Sequence, residues 1–306
     1  MRQEASDIPV QSWVTRFLPS FAQPYARLAR FDRPIGTWLL LMPGWWALAI
    51  AASSLHPAMA YPNLYYMALF GIGALVMRGA GCVWNDITDR DFDGRVARTA
   101  DRPIPAGDVS VKQALAFMAL LLLIGLTVLL QFNHFAWMVG AASLALVVTY
   151  PFMKRITYWP QAWLGLTFNW GALLGWAAME GEIALPAVLM YAAGFFWTLG
   201  YDTIYAHQDK EDDALIGVKS TALKLGRATP YWVIGFYGMT LILLGAAAAV
   251  AQLSLYFWPI YFVAAVHLGW QVRSLNIDNH KLCLKLFRSN RHFGLIVAVA
   301  MIAGGF

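Results

Sequence analysis

Residues Leu64 to Asp93 read LYYMALFGIGALVMRGAGCVWNDITDRDFD, and this stretch decides how the rest of the chain is read. Residues 64–84 are apolar apart from Arg78, long enough to cross a bilayer as a helix, which takes about 20 residues. Asn85-Asp86-Ile87-Thr88-Asp89-Arg90-Asp91-Phe92-Asp93 follow at once. If the helix continues at about 100° per residue, Asp86, Asp89 and Asp93 stay within about 100° of Asn85 while Asp91 points away. Arg78, about two turns earlier, returns to the same face. Like charges this close repel, and carboxylates at a membrane boundary are costly, so the row requires a counter-charge.

The whole chain has the composition that such a span needs. Of 306 residues, 59% are hydrophobic and only 13% charged, which excludes a water-soluble globule and a disordered chain. Fourteen Trp, thirteen Tyr and eighteen Phe suit long lipid–water boundaries. Nine stretches are apolar enough to be read as spans, near 37–54, 64–84, 112–131, 135–150, 159–178, 184–201, 232–252, 255–272 and 292–306. They lack the alternation of a barrel strand, so the expectation is an all-α polytopic membrane protein with nine transmembrane helices. Every lysine and arginine except Arg78 then falls in connections on one side, which the positive-inside rule makes the cytoplasmic side, along with the N-terminus. The net charge of +5 therefore reflects membrane topology and gives no reason to expect nucleic acid.

A second acidic block closes the sixth span: Asp202-Thr203-Ile204-Tyr205-Ala206-His207-Gln208-Asp209-Lys210-Glu211-Asp212-Asp213. Continued as one helix, it brings Asp202, Asp209 and Asp213 within about 40° of one another. Asp86 and Asp202 stand at equivalent points with four spans between them, which suggests two parallel four-helix pseudo-repeats around a central cavity, with a ninth helix outside. Oxygen donors from Asp and Asn suit a hard divalent cation, and Mg²⁺ is the natural choice because it keeps positions open for substrate phosphate. Two lone cysteines, Cys82 and Cys283, offer neither a disulfide framework nor a cysteine-rich metal site.

Paired metal sites of this kind suit a departing diphosphate and call for fixed cations nearby. Tyr150 and Lys154 are four residues apart at the inner end of the fourth span, although Pro151 disfavours helical geometry at Tyr150. On spacing alone, Lys154 is equally a phosphate ligand or an ordinary positive-inside lysine. Arg95, Arg98 and Arg102 lie in a segment that Pro103, Pro105 and Gly107 keep from forming a long helix, an ordered loop over the acidic mouth. They could reach phosphate or anchor the membrane surface. Arg78 would either hold the carboxylate of an aromatic substrate or pair internally with Asp89.

Together, Asn85-Asp86-x-x-Asp89-x-x-x-Asp93, the Arg98-Thr99…Arg102-Pro103 loop, the Tyr150…Lys154 pair and Gly200-Tyr201-Asp202…Asp209-x-x-x-Asp213 resemble the UbiA superfamily of intramembrane prenyltransferases. Residues 30–38, 201–213 and 216–223 look most like the branch that prenylates 4-hydroxybenzoate in ubiquinone biosynthesis. The resemblance implies a nine-helix fold, Mg²⁺, a polyprenyl diphosphate donor and an aromatic acceptor. It implies Asn85, Asp89, Asp202 and Asp209 as metal ligands, with Asp86, Asp93 and Asp213 in the same cluster. It puts Arg33, Tyr150 and Lys154 near the diphosphate, and Arg78 near the acceptor. Glu180 and Glu182 carry no family signature.

The expected organisation is one membrane-embedded domain over 1–306. Within it, 1–35 is an interfacial amphipathic segment, and 85–111 and 202–230 are cytoplasmic loops capping the site. Glu4 and Asp7 make the start unlike a mitochondrial presequence, so the expected location is a bacterial inner membrane. Competing readings are another acceptor (naphthoate, homogentisate or haem) and a cation-coupled transporter. Transporter sites usually lie at mid-bilayer on broken helices, whereas these acids sit at helix ends.

Overall fold

A computed structural model describes residues 12–55, 61–94 and 99–306, and the described residues are all-helical without strands. The helices are α1 (Trp13–Phe17), α2 (Gln23–Leu28), α3 (Ile35–Leu55), α4 (Leu64–Asp93), α5 (Val111–Leu129), α6 (His134–Ile156), α7 (Pro160–Phe168) and α8 (Trp170–Glu180). There follow α9 (Leu185–Ala206), α10 (Lys210–Ile216), α11 (Thr221–Leu225), α12 (Thr229–Val250), α13 (Phe257–Ser274) and α14 (His280–Ala303). Each of the nine apolar stretches carries helix. Among the described residues, five helices are long and apolar enough to cross a membrane: Ile35–Ser53, Leu64–Asp91, Val111–Leu129, His134–Ile156 and Thr221–Val250, the last joining α11 and α12. The chain divides into two compact units, one of residues 1–37 and 72–131, the other of 38–71 and 132–306.

In the first unit, Val76, Ala80, Val83 and Ile87 form a stripe at helical spacing on α4. It packs with Leu28 and Ala29 from the N-terminal segment and with Ala114 and Leu121 of α5. Gly79 lets these elements come close, since a Cβ there would lie 3.1 Å from Leu121 and 3.2 Å from Ala29. Ser110 and Gln113 start α5 with a capping box, which satisfies the orphan N–H groups of its first turn. The N-terminal segment is two short helices broken near Pro19 rather than one amphipathic helix. Its apolar Val14 is buried, Phe17 and Phe21 are exposed, and the Trp13 indole donates to the Phe31 carbonyl at 2.9 Å.

In the second unit α9 is buried along most of its length and bound on several sides by polar bonds. In an apolar interior an unmade hydrogen bond is expensive, so these groups must find partners. Trp197 donates to Asn290 Oδ1 at 2.8 Å, Gln271 donates to the same oxygen at 3.2 Å, and the Tyr237 hydroxyl donates to Gln271 Oε1 at 2.8 Å. The stretch read as a fifth single span is two helices, α7 and α8, meeting at Asn169. The Asn169 amide donates to the Gly165 carbonyl and to Thr198 Oγ1, both at 2.8 Å, a tertiary bond that holds the break.

Candidate active site

Block one continues the helix as its periodicity requires: α4 runs unbroken through Asp93. Asp86 and Asp89 are fully buried and Asp93 is 7% exposed, while Asn85 is half-buried. Two arginines answer this charge. Arg30 donates to Asp86 Oδ1 at 2.8 Å, and Arg102 bridges Asp86 Oδ1 at 3.3 Å and Asp93 Oδ2 at 2.8 Å. Arg102, expected at the diphosphate, is thus engaged with acids expected at the metal. The Thr99 hydroxyl donates to the Asp93 carbonyl at 2.8 Å, fastening the 99–110 loop to the same helix end. Burial pushes the Asp93 carboxyl up, Arg102 pulls it down, and the Asp86 and Asp89 charges raise it again.

In the sequence Arg30 is one of the inner-side basic residues and the first of the 30–38 stretch, with no partner assigned to it. Its backbone is left-handed, φ +60°, a conformation costing a side-chain-bearing residue about 1–2 kcal/mol. The turn aims its guanidinium at Asp86 and lets it donate to the Arg27 carbonyl at 3.0 Å, capping the end of α2. Arg33 lies 3.4 Å from the buried Asp32 carboxylate. Burial raises the Asp32 pKa, and Arg33 and Arg30 oppose the rise. Arg78 is half-buried on α4 and lies against the first turn of α3.

Block two departs from the expected single helix. Helix α9 ends at Ala206, and α10 begins after Asp209, so Asp202 lies on one helix while Asp209 and Asp213 belong to the other. All three are half-buried. The turn is fixed by His207, which is 1% exposed and 3.0 Å from Thr229 Oγ1. The Thr229 hydroxyl gives its proton to the Gly226 carbonyl at 2.8 Å, so the imidazole must donate through Nε2. Burial and the nearby Lys210 hold that imidazole down to about 4, which keeps it neutral. Further on, the Thr203 and Thr221 hydroxyls are 2.8 Å apart, and the Thr221 amide donates to Gln161 Oε1 at 3.1 Å.

Pro151 does not interrupt α6, so Tyr150 and Lys154 stand one turn apart on one helix, both half-buried. The Lys219 amide donates to the Lys154 carbonyl at 2.8 Å and its ammonium to the Ile156 carbonyl at 3.0 Å. These bonds tie the end of α6 to the segment following block two. The regions 85–111 and 202–230 are therefore partly helical rather than loops throughout. Arg95 and Arg98 lie outside the described residues, as do Glu4 and Asp7.

The residues fit a hard cation by their chemistry. In block one Asp86 pairs with Arg30 and Arg102, Asp93 pairs with Arg102, and Asp86 Oδ2 is buried with no hydrogen-bond partner. Among the described residues no three His, Cys, Asp or Glu side chains converge as a ready cage. Mg²⁺ does not need one, since it commonly takes one or two carboxylates and completes its shell with water and substrate phosphate.

Apolar helices that end in buried acids and arginines suit a membrane-embedded enzyme that handles a phosphate-bearing substrate, and the comparisons make it an intramembrane transferase. The chain belongs to the UbiA prenyltransferase family, whose sequence model matches residues 35–296. It is 48% identical over 294 residues to the mitochondrial 4-hydroxybenzoate polyprenyltransferase of Arabidopsis thaliana, covering 96% of this chain and 71% of that one. The Homo sapiens enzyme of the same name is 49% identical over 294 residues, covering 94% and 76%. A UbiA homolog from Archaeoglobus fulgidus bound to GPP and Mg²⁺ has a like fold, with a TM-score of 0.68 at 18% identity over 92% of this chain and 98% of that one.

The relatives overturn the expectation of a bacterial inner membrane, because they are named as mitochondrial proteins. The sorting of basic residues to one side identifies a face of a membrane and says nothing of which organelle holds it. Two acids near the start of the sequence are no stronger guide.

Proposed function

We propose that this protein transfers a polyprenyl group from polyprenyl diphosphate to the ring carbon ortho to the hydroxyl of 4-hydroxybenzoate, in ubiquinone biosynthesis. The observation that carries this reading is near-half identity to enzymes of that name along 94–96% of the chain. Its setting is a mitochondrial membrane, with all nine apolar stretches crossing and the basic connections on the inner side. The two four-helix halves repeat in parallel around the site, within one domain.

Mg²⁺, when bound, neutralises the diphosphate and assists its departure. Asn85, Asp89, Asp202 and Asp209 would hold the metal, with Asp86, Asp93 and Asp213 in the surrounding acid cluster. Arg33, Tyr150 and Lys154 bind the diphosphate oxygens, joined on this reading by Arg95 and Arg102. Arg78 takes the carboxylate of the acceptor in its planar fork and so turns the ring carbon toward the allylic carbon. Apolar walls exclude water from the allylic cation, which the electron-rich ring attacks, and transfer of the ring proton to an aspartate or to the released diphosphate restores aromaticity.

The test is turnover by purified protein given one polyprenyl diphosphate, Mg²⁺ and a panel of acceptors. Prenylated 4-hydroxybenzoate is the expected product. Efficient turnover of a naphthoate or homogentisate with none of 4-hydroxybenzoate would reject the acceptor, and ion-driven uptake into vesicles without product would reject the enzyme.

A further inference from the structure

Gly36 occupies the first turn of α3 and is buried. A Cβ built there would stand 2.5 Å from Arg78 Nε, 3.0 Å from Nη2 and 3.1 Å from Cζ. All three atoms belong to the guanidinium, and carbon does not approach nitrogen that closely without displacement. The fork of Arg78 therefore lies directly on the bare backbone of Gly36. Glycine is not required here for its backbone freedom, since Gly36 is not among the glycines with positive φ. Its requirement is space.

The first turn of a helix carries the positive end of its dipole, so the dipole of α3 does not draw a guanidinium there, and the room left by Gly36 is what admits it. An added methyl group would meet the far end of a long, flexible side chain rather than another backbone, so Arg78 would move and the helices would stay. The change in sequence is then read out as a change in where one cation sits.

We propose that Gly36 is a specificity-determining positioning residue: its missing side chain seats the Arg78 fork where it meets the acceptor carboxylate. The inference rests on the proposed role of Arg78. A Gly36→Ala protein should raise the KM for 4-hydroxybenzoate about tenfold, the scale of one weakened charge-assisted hydrogen bond. The KM for the prenyl donor and kcat should stay within about twofold, because neither depends on that contact. Preference for 4-hydroxybenzoate over the uncharged 4-hydroxybenzamide should shrink in parallel.

Four proteins separate the outcomes: wild type, Gly36→Ala, Arg78→Ala and the double variant, each measured with both acceptors. Arg78→Ala should raise the 4-hydroxybenzoate KM and remove the preference for the carboxylate, and adding Gly36→Ala to it should change nothing more. If Arg78→Ala leaves both unaltered, the acceptor role of Arg78 fails, and the inference with it. If Arg78→Ala behaves as expected while Gly36→Ala matches wild type, or adds its full effect in the double variant, the Gly36 inference alone fails. Should Gly36→Ala not fold, the double variant decides: recovery of folded protein on removing the guanidinium supports the clash, and continued failure overturns it.

Discussion

The two acidic blocks have nearly the same vocabulary and are built in opposite ways. Block one is one continuous helix end with Asp86, Asp89 and Asp93 buried, Asp86 and Asp93 being tied to Arg30, 56 residues before Asp86, and to Arg102 in the following loop. Block two is a turn between two helices, with Asp202, Asp209 and Asp213 half-buried and its shape set by neutral bonds among His207, Thr203, Thr221 and Thr229. Burial explains the difference. A buried carboxylate such as Asp86 or Asp93 is costly unless charge answers it on the spot, whereas in block two neutral bonds fix the backbone that carries the acids. The first block should therefore be stiff and expensive to disturb, the second adjustable and cheap.

The comparison breaks most sharply if the blocks are unequal in function as well as in construction. Asp89→Ala and Asp209→Ala should each lower turnover by on the order of 10³-fold, as loss of a key electrostatic contact does, with membrane insertion intact. Chelation of Mg²⁺ should stop wild-type turnover and its return should restore it. Full activity in either variant would remove that block from the metal assignment. The next largest effect is on stability. Arg102→Ala leaves Asp86 with Arg30 only and Asp93 without its ion pair, so thermal unfolding in detergent should show a loss of about 3 kcal/mol, the range for a broken buried pair. An unchanged melting temperature would mean that block one is not braced by its ion pairs.

What the sequence made legible follows the same division. Apolar runs marked the helices, and the acid spacing in block one placed Asp86, Asp89 and Asp93 on one helix end, because a regular helix needs only local information. Arg30 was hidden, since nothing local announces a left-handed arginine whose partner is 56 residues away. The end of α9 at Ala206 was equally hidden: no proline or glycine stands there, and the turn is fixed by a threonine 22 residues onward. Asn169 divides α7 from α8 by the same kind of distant bond, to Thr198. Pro151 misled in the other direction, because a helix tolerates one missing N–H when its surroundings hold the backbone.

The smallest effect tests the adjustable block at its fulcrum. His207→Phe keeps a flat ring in the buried site and removes only the donor to Thr229, whose hydroxyl retains its bond to the Gly226 carbonyl. One neutral hydrogen bond is lost and no charge is stranded, so the expected cost is about 1 kcal/mol. That is well under the Arg102→Ala loss. The turn that carries Asp209 should loosen without breaking, and the Mg²⁺ concentration giving half-maximal activity should rise while saturating turnover changes little. A loss as large as that of Arg102→Ala would show the two blocks to be equally rigid and the contrast between them to be one of appearance alone.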